Sequence, residues 1–253
     1  MDSNFTTNHQ LNHRTIRFFQ DKPIPDELMD HLLTVMNRTA TSNGLQTASV
    51  IRVTDDDKKQ QISEVSNQAY IAKAPELFIF LVDAYRMKEI AQASGSDGDD
   101  YRSMNVFFQG VADAYLNAQN LTTAIESFGL GATFLGSVLN DSQRMIDILD
   151  LPELTFPILG VIFGYPDDDP ELKPRMPLDL KVGENGYPHS EDILADLAPY
   201  DEEMTHYYDT RQKNQRSDSY TKQIIRKVEN PNEKRNELLR VVKNQGFDLN
   251  IED

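Results

Sequence analysis

The sequence predicts an α+β protein in which helices cover both faces of one β-sheet and a helical extension follows at the C-terminus. Three observations support this prediction. Helical and strand-like patterns alternate through the first two thirds of the chain, two apolar runs are typical of strands covered on both faces, and strand patterns stop after Pro188. With 253 residues the chain is near the upper size for a single core, so we expect one domain with an appendage.

The first elements follow from local patterns. Apolar residues recur at helical spacing over residues 26–38, after two acidic residues that favour a helix N-terminus. Residues 50–53 form a short β-branched strand, and a surface helix follows the three aspartates at 55–57. Residues 77–82 are apolar at odd and even positions alike, which indicates a central strand.

The next elements repeat this alternation. Residues 106–128 carry small and apolar side chains at helical spacing with little charge, which predicts a long and largely buried helix. A strand at 132–135, a helix at 141–149 and a second buried strand at 158–163 follow. Residues 94–100 combine small and acidic side chains, so we interpret them as a mobile surface loop.

The C-terminal extension contains three helical patterns, at residues 191–208, 219–228 and 232–243. Residues 211–243 hold ten basic and four acidic side chains, although the whole chain carries a net charge of −16. This segment is therefore suited to embrace a second copy of the acidic body or to bind an anionic ligand. A solvated helical face is the alternative.

Composition and missing motifs exclude several classes of function. The charge of −16 opposes binding to a phosphate backbone, so we expect no nucleic-acid partner. The absence of cysteine removes disulfides, thiolate metal sites, iron–sulfur clusters and a cysteine nucleophile. No Walker loop, zinc-protease motif or serine-hydrolase elbow is present, and we expect no metal site. Redox chemistry would therefore need a bound cofactor.

The expected location is cytoplasmic. The longest apolar runs are far shorter than the roughly 20 residues that a membrane span requires. The first residues also lack the basic and apolar regions of a secretory signal.

Three polar clusters are candidates for binding. Residues 13–17 place two arginines beside a histidine and a threonine, a combination suited to a phosphate or a flavin ring. Residues 172–177 extend two cations from a proline-stiffened loop, and residues 39–46 form a loop rich in hydroxyl groups. Each cluster alone is typical of an ordinary surface.

Their order along the chain changes this interpretation. The sequence contains His-Arg-x-Ile-Arg-x-Phe at 13–19, Thr-x-Thr-Ser-x-x-Leu-Gln at 39–46 and Ala-x-Asn-Leu-Thr-x-Ala-x-Glu-Ser-x-Gly-Leu-Gly at 118–131. Gly-Tyr-Pro then precedes Lys-Pro-Arg-Met-Pro, and Tyr-Tyr-Asp-Thr-Arg ends at Arg211. Over nearly its whole length the chain thus resembles the FMN-dependent nitroreductase family, in its branch of NADPH-using nitroreductases and flavin reductases.

The resemblance implies a nitroreductase-like three-layer α+β fold with a central mixed, mostly antiparallel sheet. It further implies an FMN-binding core at residues 1–190 and a helical extension at residues 191–253 that wraps the partner of a homodimer.

The resemblance also implies a set of cofactor-binding residues. They would contact the phosphate, ribityl chain and ring of FMN and comprise His13, Arg14, Thr15, Arg17, Thr41, Ser42, Gln68, Phe134, Leu135, Gly136, Ser137, Lys173 and Arg175. Thr15 stands where relatives often have Ser, Ser137 replaces a frequent Gly, and the register around Asn67 and Gln68 is open by one residue. Arg211 and Arg216 match arginines that this branch uses for NADPH.

We therefore expect an oxidoreductase that transfers hydride from NADPH to bound FMN and on to nitroaromatics, quinones or free flavin by a ping-pong mechanism. No catalytic side chain is needed, because the chemistry takes place on FMN; Arg17 would stabilise the charge of the reduced cofactor. The alternatives are a non-catalytic flavin-binding or nucleotide-sensing dimer of the same fold, and a purely structural dimer.

Overall fold

The computed structural model describes residues 4–210 and 218–250. The chain divides into two compact units, one made of Met1–Asp169 and Asn232–Asp253 and the other of Pro170–Pro231. The strands of the first unit are β1 (Ala48–Arg52), β2 (Glu76–Asp83), β3 (Gly131–Leu135) and β4 (Thr155–Gly164). Its helices are α1 (Phe5–Leu11), α2 (Asp26–Asn37), α3 (Asp56–Ser66), α4 (Tyr85–Ala93), α5 (Met104–Ser127), α6 (Ser142–Leu149), α9 (Glu233–Asn236) and α10 (Leu238–Asn244), while α7 (Ile193–Thr210) and α8 (Tyr220–Glu229) belong to the second unit.

The strands form one sheet in the order β1-β2-β4-β3, and each neighbouring pair is antiparallel. Val50 pairs with Phe80, and Thr133 pairs with Ile162. Thr15 adds a parallel bridge to Ala132 on the outer side of β3. The prediction of a mixed, mostly antiparallel sheet is therefore confirmed, with residues around Thr15 as its parallel part.

Both faces of the sheet are buried, because side chains along β2 alternate between two apolar clusters. Phe78 and Phe80 pack in the cluster that includes α2 and α5, whereas Leu77, Ile79 and Leu81 pack in the cluster that includes α3 and α6. Full burial of such a side chain contributes about 1.5–3 kcal/mol. The predicted three-layer α+β fold is confirmed.

Helix α5 is the central helix of the first unit. It is 24 residues long, which corresponds to about 36 Å, and it packs across all four strands. The Ser103 side chain caps its N-terminus by accepting a hydrogen bond from the Val106 N–H at 3.3 Å. The length lets this one helix support the sheet from edge to edge.

The predicted elements agree with the structure in most places. The predicted helix at 26–38 is α2, the long helix is α5, and the buried runs are the interior strands β2 and β4. Residues 94–99 are exposed, as expected of a surface loop. Helices α1 and α4 were not predicted, and the pattern at 232–243 is divided between α9 and α10 at Glu237.

The chain end returns to the core of the first unit. Val241, Val242 and Phe247 are buried in the same cluster as α2 and α5. The second unit has its own small core of Leu197, Tyr200, Met204 and Tyr207. The two compact units do not coincide with the two functional regions predicted from the sequence, which meet at residue 190. That boundary separates cofactor binding from partner wrapping, and it stays a prediction.

Candidate functional site

Residues 13–17 are held as an added strand along β3. The Ile16 N–H donates to the Ala132 carbonyl at 2.9 Å, and the Thr133 hydroxyl donates to the Ile16 carbonyl. A Cβ at Gly131 would lie 2.5 Å from Ile16, so glycine permits this close approach. Ile16 is buried, while Thr15 and Arg17 on either side are partly exposed. The sheet edge thus fixes the backbone that carries the basic motif.

Arg17 lines a cavity of about 400 Å³. Phe19 and Tyr70 supply aromatic walls, and Lys73 adds a second cation. Within the described part of the chain, neither Arg17 nor Lys73 has a hydrogen bond or an ion pair from its side chain. Asp167 also lines this cavity, so the lining holds two cations against one carboxylate. The remaining positive charge beside aromatic rings suits an anionic ring system. Lys73 was not predicted from the sequence, although it follows Gln68 closely enough to share its turn.

His13 is oriented by a carboxylate on α5. Its Nδ1 lies 2.6 Å from Oε1 of Glu126, whose side chain is only 12% exposed. The His9 Nε2 lies 4.0 Å from the other oxygen of Glu126. Because an ionised carboxylate can only accept, Nδ1 of His13 donates to Glu126, and Nε2 makes no hydrogen bond with the described residues. Glu126 lies within the quoted family motif, but its role emerges only from the structure.

Arg14 has an unsatisfied group. Its Nε is buried without a hydrogen-bond acceptor in the described residues, and the nearest carboxylate, of Asp169, is 4.0 Å away. A buried donor without an acceptor is costly, so this atom is suited to an anionic ligand.

Gln68 meets the turn that follows β3. The Ser137 hydroxyl donates to Oε1 of Gln68 at 3.1 Å. Phe134 and Leu135 end β3, and Gly136 begins the 3₁₀ helix Gly136–Asp141. These predicted residues therefore lie together at the β3 edge. Asn67, the neighbour of Gln68, ends α3 in a left-handed conformation with φ 51°.

The space beside Gly136 is open, because a Cβ placed there would have no atom within 4 Å. The Arg235 guanidinium donates to the Gly136 carbonyl, and Lys234 pairs with Asp141. Burial opposes ionisation of Asp141, yet the hydrogen bond from Lys234 holds the pKa of that carboxyl below its ordinary value. The chain end thus stabilises this turn, which the sequence did not predict.

Thr41 and Ser42 lie beside β1. The Ser42 N–H donates to Oδ1 of Asp113 at 2.7 Å. Thr41 lines a cavity of about 210 Å³ together with Ser49 of β1. Asp113 was not singled out in the sequence, since one acidic residue within a helical pattern is typical of a solvent-facing position.

The structure therefore brings some predicted residues together and separates others. The segment at 13–17 and strand β1 are four strand spacings apart, or about 19 Å at about 4.8 Å each. The two anchoring acids on α5, Asp113 and Glu126, give a similar separation of about 20 Å along the helix axis. Thr41 and Ser42 are thus remote from Arg17 within one chain.

The remaining predicted residues belong to the second unit or lie outside the described part. Lys173 and Arg175 are exposed in the second unit, and the Arg175 guanidinium donates to the Lys173 and Pro174 carbonyls at 2.9 and 3.2 Å. Arg211 and Arg216 lie outside the described residues. Their roles stay predictions.

A third cavity, of about 470 Å³, lies within the second unit and is lined by Asp201, Glu202 and His206. Its two carboxylates make it unsuitable for an anionic cofactor. Across residues 4–210 and 218–250, no group of three or more His, Asp or Glu side chains could hold a metal ion. No helix in those ranges is both long and apolar enough to cross a membrane.

Comparison with known proteins gives a consistent result. The model of the nitroreductase family matches residues 11–165, and that of the nitroreductase family C-terminal domain matches residues 173–250. An NADPH-dependent oxidoreductase of Staphylococcus aureus (strain bovine RF122 / ET3-1) is 35% identical over 226 residues, covering 88% of this chain and 90% of the relative.

Solved protein structures match nearly the whole length of this chain. NfrA2 of B. megaterium matches with a TM-score of 0.90 and 28% identity, covering 98% of this chain and 100% of that protein. The NADPH:FMN oxidoreductase from Vibrio harveyi, complexed with NAD+, matches with a TM-score of 0.84 and 31% identity, covering 96% and 98% of the two chains.

Proposed function

The chain belongs to the nitroreductase family and is an enzyme, and we propose that it passes electrons from NADPH through bound FMN to a small acceptor. Nitroaromatics, quinones and free flavin are the acceptors we propose. One observation carries this proposal: the cavity at the β3 edge places Arg17, without an ion pair in the described residues, against aromatic walls. The similarity to an NADPH:FMN oxidoreductase and to NADPH-dependent oxidoreductases supports the choice of both cofactors.

The residues at the β3 edge fit FMN. Arg14 has a buried donor without an acceptor in the described residues, and His13 has one ring nitrogen committed to Glu126 and the other available. The open space at Gly136 lets a flat ring approach the backbone. We therefore propose that His13, Arg14 and Thr15 hold the phosphate and ribityl chain and that Gln68 lies at the polar ring edge. In the same scheme, the backbone of residues 134–137 faces the ring, and Lys173 with Arg175 completes the phosphate side.

Bound FMN would supply the hydride acceptor and donor, so the chain needs no nucleophile or metal for this reaction. Arg17 would stabilise negative charge on the ring edge through its guanidinium. The aromatic walls of the cavity would exclude water from one side of the site. A single slot that admits NADPH and then the acceptor gives ping-pong kinetics, seen as parallel lines in double-reciprocal plots.

We further propose a homodimer in which the extension at residues 191–253 wraps the partner through its part before Asn232, because residues after that point pack on the first unit of their own chain. Phe108, Tyr115 and Leu116 are 64%, 45% and 47% exposed on α5, and their spacing places them on one face of the helix. The roughly 20 Å between Arg17 and the Thr41–Ser42 loop gives a second reason, since one ring cannot contact both within a chain. In a dimer, the loop of one chain would meet the cavity of the other.

The partner nucleotide would be NADPH, with Arg211 and Arg216 pairing its additional phosphate. The expected cytoplasmic location and the absence of a nucleic-acid partner also stay predictions. Cell fractionation tests the first, and a DNA retention assay at low salt tests the second.

One experiment tests the proposed function. Purified protein should be yellow, NADPH should bleach the flavin absorbance without oxygen, and a quinone or nitroarene should restore it. Colourless protein that takes up no added FMN would contradict the proposal. Flavin that NADPH does not bleach would favour the non-catalytic sensor, and flavinless protein that still dimerises would favour the structural dimer.

A further inference from the structure

We infer that Asp113 is a positioning residue of the proposed flavin site and that it acts on the site of the partner subunit. It would do so by fixing the loop at residues 41–47, which carries Thr41 and Ser42. This inference rests on the proposed function, in which these two residues complete the partner's cavity.

Asp113 holds both ends of the loop. Its side chain is fully buried in α5. Oδ1 accepts from the Ser42 N–H at 2.7 Å, and Oδ2 accepts from the Thr47 N–H at 2.9 Å and the Thr47 hydroxyl at 3.1 Å. One carboxylate thus satisfies three donors on two residues, Ser42 and Thr47, with four residues between them. Only a group with two acceptor oxygens can do this.

The loop itself is strained and needs such an anchor. Asn43 and Gln46 have φ values of 50° and 54°, in the left-handed region that side chains with a Cβ rarely adopt. Gly44 has φ 71°. Two such non-glycine residues within four positions persist only when surrounding contacts fix them. Without Asp113 the loop would relax to other conformations.

The C-terminal end of the loop is also held by contacts of the Thr47 backbone carbonyl. The Thr47 carbonyl accepts from the Asp83 N–H of β2 at 2.9 Å. On the other side, a Cβ at Gly110 would lie 2.7 Å from that same carbonyl oxygen. Gly110 precedes Asp113 by three residues, so both lie on the loop-facing side of α5. The missing side chain of Gly110 thus lets the Thr47 backbone approach α5 closely, and Asp113 hydrogen-bonds to the same residue.

The position of this anchor explains why it would act between subunits. Asp113 lies near β1, whereas Glu126 on the same helix orients His13 at the β3 edge, about 20 Å away. Each chain would therefore contribute its β3 edge to one site and its Asp113-anchored loop to the other. Asp113 carries no ion pair among the described residues, so its interactions are directed at the loop alone.

The test begins with Asp113→Asn, which replaces one acceptor by a donor facing an N–H group. FMN affinity, measured by titrating flavin-free protein, should fall about tenfold or more, because a buried donor is left unsatisfied. Hydrogen exchange at the Ser42 and Thr47 amides of the flavin-free protein should accelerate. The matched control is Glu76→Gln, which weakens the ion pair between the buried Glu76 and the exposed Arg52 and should lower thermal stability while FMN affinity stays unchanged.

A mixed dimer tests the action between subunits. Chains with Arg17→Ala and with Asp113→Asn are co-expressed with different tags and purified by both. If the loop serves the partner's site, the mixed dimer contains one site with both substitutions and one with neither, and it should bind about half of the wild-type flavin. If the loop serves its own chain, every site carries one substitution and flavin stays low, which overturns the inference.

Unchanged FMN affinity of Asp113→Asn with accelerated exchange would also overturn it. If that variant does not fold, Thr47→Val removes only the hydroxyl donor; equal exchange and equal FMN affinity in Thr47→Val and wild type would then decide against it. Failure of the proposed function looks different, since wild-type protein would itself bind no FMN.

Discussion

The two edges of the sheet contribute to the candidate site in opposite ways. At the β3 edge, Arg17 and Lys73 are cations without ion pairs in the described residues, and Arg14 has an unsatisfied donor. At the β1 edge, Arg52 is tied to Glu76 by two hydrogen bonds of 2.8 and 2.6 Å, and the loop at 41–47 is fixed by Asp113. The β3 edge thus holds cations without ion pairs beside a long Arg14–Asp169 contact of 4.0 Å, whereas Arg52 at the β1 edge is paired at short distance.

This difference indicates what each edge is built for. Solvated cations without ion pairs contribute little to the stability of the empty protein, so we interpret them as groups that an anionic ligand would pair. Paired cations instead stabilise the fold. We therefore expect both edges to affect cofactor affinity, the β3 edge through its unpaired cations and the β1 edge through the fixed geometry of the loop at 41–47.

The largest expected effect is loss of bound flavin from variants of the proposed cofactor site, compared with a variant at the β1 edge. Arg17→Ala should yield nearly colourless protein with little change in melting temperature, because the lost contact is with the cofactor alone. Lys173→Ala should do the same. Arg52→Ala at the other edge should remain yellow and melt at a lower temperature, since it leaves Glu76 buried and unpaired. Flavin absorbance and thermal unfolding check these outcomes, and full flavin content in both cofactor-site variants would contradict the assignment.

The next effect concerns the choice between NADPH and NADH. Arg211→Ala should raise the KM for NADPH about tenfold or more and change the KM for NADH little, because only NADPH carries the additional phosphate. Steady-state kinetics with both nucleotides provide the measurement. Equal effects on the two would refute this role.

A moderate effect tests how the β3 edge is supported from α5. Glu126→Gln keeps an acceptor for His13 but removes the charge that fixes its proton on Nδ1. FMN affinity should fall by about threefold to tenfold. ¹⁵N spectra of the histidine rings should show a mixture of tautomers in the flavin-free protein. Glu64→Gln removes an exposed carboxylate paired with Arg144 and serves as the control; a similar loss of affinity there would argue against the assignment.

The smallest effect depends on pH and on the chain end that supports the turn after β3. The pKa of Asp141 is held below its ordinary value of 3.8, although burial opposes this, because Lys234 donates to the carboxylate. The pair therefore stabilises the fold above that pH, and this contribution is lost as the pH falls through the lowered pKa.

Lys234→Met should thus be less stable than wild type at pH 7, by at most about 1 kcal/mol for a pair this exposed. The difference should shrink below pH 3.8, when Asp141 is protonated. Urea unfolding at both pH values measures it. A difference that grows with acid would show that the sign is wrong.

The sequence predicted most helices and strands, but it did not predict which residues they contact in the fold. Helix α2 and strands β2 and β4 were predicted within a few residues, because periodicity and apolar runs are local properties. Helix α1 was missed, since none of its residues is buried and its pattern is therefore weak. Helix α4 was missed for the same reason.

The residues of the candidate site likewise fall into those predicted from the sequence and those found only in the structure. His13, Arg17 and Gln68 were predicted through motifs, and the structure places them with residues 134–137 at one sheet edge. Asp113, Glu126 and Arg235 were not predicted as site residues, because each acts through partners more than sixty positions away in the chain.

The layered fold, the family resemblance and the types of side chain available for binding follow from the amino-acid sequence. Which of those side chains remain unpaired, and which edge of the sheet each one occupies, depends on how the chain folds in three dimensions. The physical reason is that periodicity records whether a residue faces a core, whereas strand order and helix length decide what it meets there. The separation of Arg17 from Thr41 is a property of that strand order and of no local pattern.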